Sequence, residues 1–101
     1  MWDIHVSLIP PDAAHPNGRW TATWLYTGSG GSWKGSQYVT IKFLGQNGAD
    51  LHTETPSLAR DGCHYGGGVR QNFGGDLPVP MSSIENVTVE PSIAEGRTGP
   101  C

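Results

Sequence analysis

Between Arg19 and Thr27 the chain sets Trp20, Ala22, Trp24 and Tyr26 on one parity and Thr21, Thr23, Leu25 and Thr27 on the other. At two residues per repeat this is a strand, because successive side chains of an extended chain point to opposite faces. The threonine-rich parity makes the aromatic parity the one to bury. Trp20 and Trp24 are therefore read as the centre of a core. The other use of such a face, as a floor on which sugars or aromatic groups stack, stays open beside it.

The neighbouring segments repeat the alternation. Trp2 to Ile9 places Trp2, Ile4, Val6 and Leu8 opposite Asp3, His5 and Ser7, and Pro10-Pro11 ends it. Asp12 to Gly18 reads as a loop closing on the turn Pro16-Asn17-Gly18. Gln37 to Leu44 predicts a third strand, with Val39, Ile41 and Phe43 on one face, and Ala49 to Thr55 a fourth. The Gly45-Gln46-Asn47-Gly48 turn joins them, Asn-Gly being suited to positive φ. Pro56 to Tyr65 reads as a loop, Val69 to Phe73 as a short strand, Gly74-Gly75-Asp76 as a turn and Leu77 to Pro80 as an extended edge. Ile84 to Glu90 is the last expected strand, and residues 92–101 are expected to form a tail.

Glycine and proline supply 15 and 8 of 101 residues, and only 15% are charged. That mixture suits short strands joined by turns. The expectation is an all-β, single-domain antiparallel β-sandwich over residues 1–101, with an open β-barrel as the alternative. Pro10, Pro78 and Pro80 would help to blunt its edges.

A net charge of −3 with scattered Lys and Arg leaves no basic field for a phosphate backbone, so nucleic acid is not expected as a partner. No apolar run approaches the roughly 20 residues that span a bilayer, so no membrane association is expected either. The start at Met1 fits a cytosolic reading frame; a processed secreted protein given an initiator Met would read the same. Cys63 and Cys101 would have to bring their Cα atoms within about 7 Å to form a bridge, which spacing alone does not decide.

Gly28 to Ser36 lacks the glycine before Lys34 and the Ser or Thr after it that a phosphate loop requires. Cys63 and His64 are adjacent, and no Cys-x-x-Cys or His-x-x-x-His pairing occurs. No metal or other cofactor is expected, and no catalytic residue is assigned. Asn86-Val87-Thr88 matches a glycosylation acceptor inside an expected strand, where a chance match is the simpler reading.

The candidate ligand-binding residues are Trp33 and Tyr38, which flank the glycine-serine run, and Asp61, His64 and Tyr65, in a loop rich in polar and aromatic groups. The preferred reading is a non-catalytic binding module that recognises a carbohydrate or a protein partner through these loop aromatics. A small structural or assembly protein acting as a homo-oligomer, for example a homodimer, is the second reading. A metal- or thiol-dependent enzyme using His5, His52, His64 and Cys63 is the third.

Overall fold

A computed structural model describes residues 2–26, 33–58, 63–64 and 70–97. Eight strands run through them: β1 (Trp2–Ile9), β2 (Arg19–Tyr26), β3 (Trp33–Leu44), β4 (Asp50–Glu54), β5 (Ser57–Leu58), β6 (Cys63–His64), β7 (Gln71–Asp76) and β8 (Asn86–Arg97). They form two antiparallel sheets. The first has the order β1-β2-β7; the second centres on β3, with β8 along one side and β4, β5 and β6 along the other.

The fold is the expected all-β sandwich and not a closed barrel. Trp20, Ala22 and Trp24 of β2 face Val39, Ile41 and Phe43 of β3, and all six are buried. Each sheet thus contributes its central strand to one core, as the two parities in the sequence require. Trp24 stacks on Phe73 of β7 at 4.5 Å between ring centroids. Its indole N–H donates to Oε1 of buried Gln37 at 2.8 Å, so the polar edge of the largest core side chain is satisfied. The connection from β7 to β8 covers one end, with Leu77 buried and Met81 and Ile84 packed against the core.

Several boundaries differ from expectation, each for a local reason. Ser57–Leu58 and Cys63–His64, within the expected loop, pair with β3. β5 keeps the register of β4 across Pro56, whose carbonyl still accepts from the Val39 N–H at 3.2 Å. Gly74 and Gly75 lie inside β7 and do not turn. Gly75 pairs with Trp20, and a Cβ there would sit 3.1 Å from the indole nitrogen. Leu77 to Pro80 is not a strand, so Pro78 and Pro80 cap no edge. β8 continues past Pro91 and pairs with β3 as far as Arg97, where a tail was expected from residue 92. The hairpin turn forms at Gln46–Gly48, with Asn47 and Gly48 at φ of 58° and 75°.

Candidate functional site

Among the described residues the sandwich is open along one side. β1 is an edge of the first sheet and β8 an edge of the second, and between them runs an apolar groove of about 420 Å³. Ile4, Val6 and Leu8 line it from β1, Val87 and Val89 from β8. These side chains belong to the inward faces: Ile4, Val6 and Leu8 pair with Trp24, Ala22 and Trp20, while Val87 and Val89 pair with Phe43 and Ile41. They share the faces of the core, yet none of the five is fully buried. Val89 remains 37% exposed.

Backbone direction distinguishes the two walls. The Leu77 N–H donates to the Gly18 carbonyl at 3.0 Å, which turns that carbonyl toward β7. Because the peptide is planar and trans, the Arg19 N–H then points the other way, toward β1. Alternation along an antiparallel ladder carries this on: Arg19, Thr21, Thr23 and Leu25 bond to Ile9, Ser7, His5 and Asp3. The N–H and C=O groups of Trp2, Ile4, Val6 and Leu8 therefore point away from β2, along the open side. Among the described residues no strand pairs with β1 there.

The same reasoning gives a different result on β8. The Val39 N–H points to Pro56 and hence away from β8, so Val39 and Pro91 face each other as a non-bonded pair. Pro91, Val89 and Val87 then turn their backbone groups to the open side. Pro91 has no N–H, and the Val87 N–H donates to its neighbour Asn86 Oδ1 at 2.9 Å. Of these three positions only Val89 keeps an uncommitted donor direction. β8 is a blunted edge, and β1 is a complete one.

Charge gathers on the outer face of β1. Asp3 pairs with Arg70 and lies 3.0 Å from His5 Nε2, while Arg70 also donates to Thr23 Oγ1 at 3.3 Å. The hydrogen bond from Arg70, helped by its charge and by His5, holds the Asp3 carboxyl below the usual carboxylate range. On the far side of the sandwich His52 lies 2.7 Å from Glu54 and stacks on Phe43 at 6.0 Å.

Tyr38 is half-buried on the outer face of the second sheet, between Ser57 and Ser92. The backbones of Trp33 and His64 are paired across β3 and β6, which brings these two candidate positions together. Asp61 and Tyr65 lie outside the described residues, as do the Gly28 to Ser32 run and Cys101, and with it any bridge to Cys63. His5 faces outward from the first sheet and His52 sits on the inner face of the second, so the fold does not bring these two together. Among the described residues no three His, Cys, Asp or Glu side chains gather as a metal would require.

The groove residues Ile4, Val6, Leu8, Val87 and Val89 were not among the candidates. Their alternation marks them as core, and only the strand order reveals that the core is open beside them. No family model, no curated protein and no solved structure matches this chain.

Proposed function

We propose that the chain is a non-catalytic protein-binding module that captures an extended segment of its partner along β1. One observation carries this reading: Ile4, Val6 and Leu8 border the same open side with their aliphatic side chains and with backbone groups that have no strand partner among the described residues. A strand laid against β1 meets both requirements. Its backbone completes the ladder, and its alternate side chains enter the groove above Val87 and Val89. The segment this favours carries aliphatic residues at every second position. The residues between are polar, because they lie beside Asp3, His5 and Ser7.

A small apolar ligand is less well supported, since the lining is aliphatic throughout and offers no converging polar side chain to orient one. The aromatic face of β2 offers no floor for a sugar, because Trp20 and Trp24 are committed to the core, which leaves a carbohydrate the half-buried Tyr38 on the outer face of the second sheet.

The test is calorimetric titration of the protein with a capped synthetic peptide in which Val alternates with Thr and Lys. Saturable binding is expected, weakened at least about tenfold in Val6→Pro, the equivalent of about one lost hydrogen bond. Equal affinity in wild type and Val6→Pro contradicts strand addition at β1.

A further inference from the structure

The geometry points to a second copy of this chain as the source of the added strand, through a two-fold contact of β1 with β1. This inference rests on the strand-accepting edge described above.

Symmetry makes β1 complementary to itself. A two-fold axis normal to the sheets sets the two β1 strands antiparallel and leaves every residue on its own face, so apolar residues meet apolar and polar meet polar. With His5 on the axis, Trp2 lies opposite Leu8 of the other copy and Ile4 opposite Val6. Every outward backbone group of Trp2, Ile4, Val6 and Leu8 then has a partner. On the outer face Asp3 lies opposite Ser7, so no carboxylate faces a carboxylate. His5 meets His5, each beside its own Asp3 at 3.0 Å.

The same rotation brings the two β8 edges side by side. Val87 and Val89 of both copies then line one shared interior, whereas a lone peptide on β1 would cover them from one side only. Asn86 and Pro91 leave each β8 edge a donor only at Val89 among its positions 87, 89 and 91, so the β1 edges set the register. Since the axis consumes the complete edge of each copy, assembly at this side stops at two.

Sedimentation equilibrium of the full chain over a wide concentration range tests the inference, with Val6→Pro and Val89→Lys as variants and circular dichroism as the check on folding. Val89 is 37% exposed, so a lysine there is accommodated in the monomer. A monomer–dimer equilibrium is expected, weakened at least tenfold in each folded variant, and competed by the alternating peptide. A wild type that binds the peptide but stays monomeric overturns the second copy while leaving strand acceptance standing. A chain that neither binds the peptide nor dimerises removes both readings. A dimer unchanged in Val89→Lys, or in folded Val6→Pro, places the contact elsewhere and overturns the inference.

Discussion

Gly18 sits where the first hairpin loop enters β2, at a φ of 92°, and a Cβ on it would approach the Ile9 carbonyl oxygen to 2.7 Å. Gly48, at φ 75°, has open space around it. The pair separates conformational strain from collision. Gly48→Ala is expected to cost about 1 kcal/mol from the left-handed backbone alone. Gly18→Ala adds the backbone clash and is expected to reach about 3 kcal/mol. Urea unfolding midpoints check the order, and equal losses would show that the Ile9 approach has no effect. Both glycines are legible as turn residues, because Pro16-Asn17-Gly18 and Asn47-Gly48 are local signals. Gly75 is not. Its small size is set by the indole of Trp20 across the ladder, a neighbour 55 positions away whose pairing no local pattern announces.

At the level of strands, β1 and β2 are readable nearly to the residue because their alternation, Pro10-Pro11 after β1 and the Pro16-Asn17-Gly18 turn before β2 are local signals. β3 begins earlier than its pattern suggests, at Trp33, because β6 and the end of β8 supply partners there. The last expected strand stops at Glu90, whereas β8 runs on through Pro91 to Arg97. Pro91 does not end it, since its missing donor lies on the side away from β3. That distinction yields a prediction about β1. Val6→Pro removes an N–H that points to the open side, whereas His5→Pro removes one bonded to Thr23. His5→Pro is expected to destabilise the isolated domain by about 1–3 kcal/mol more than Val6→Pro, the cost of the orphaned partner. Thermal or urea unfolding measures the difference; equal losses would mean that the direction assigned to the β1 backbone is wrong.

For the whole molecule, two sheets around a Trp-rich core followed from the sequence, whereas the open side did not. Which strands become edges depends on the order β1-β2-β7 and on β8 flanking β3, and strand order is a property of long-range pairing. The candidate residues Trp33, Tyr38, Asp61, His64 and Tyr65 were drawn from loop composition, where exposed chemistry is visible. The groove is built from residues whose pattern is that of ordinary core. Its interest lies in what does not cover them.

Amide hydrogen exchange along β1 tests that claim most directly. In the dilute monomer, the Ile4, Val6 and Leu8 amides are expected to exchange rapidly while those of His5 and Ser7 are protected by β2. Addition of the alternating peptide, or dimerisation, is expected to protect all five. Uniform protection along β1 in the dilute monomer would mean that the edge is already covered, and protection of Ile4, Val6 and Leu8 that does not rise on peptide binding or dimerisation would mean that the strand is added elsewhere.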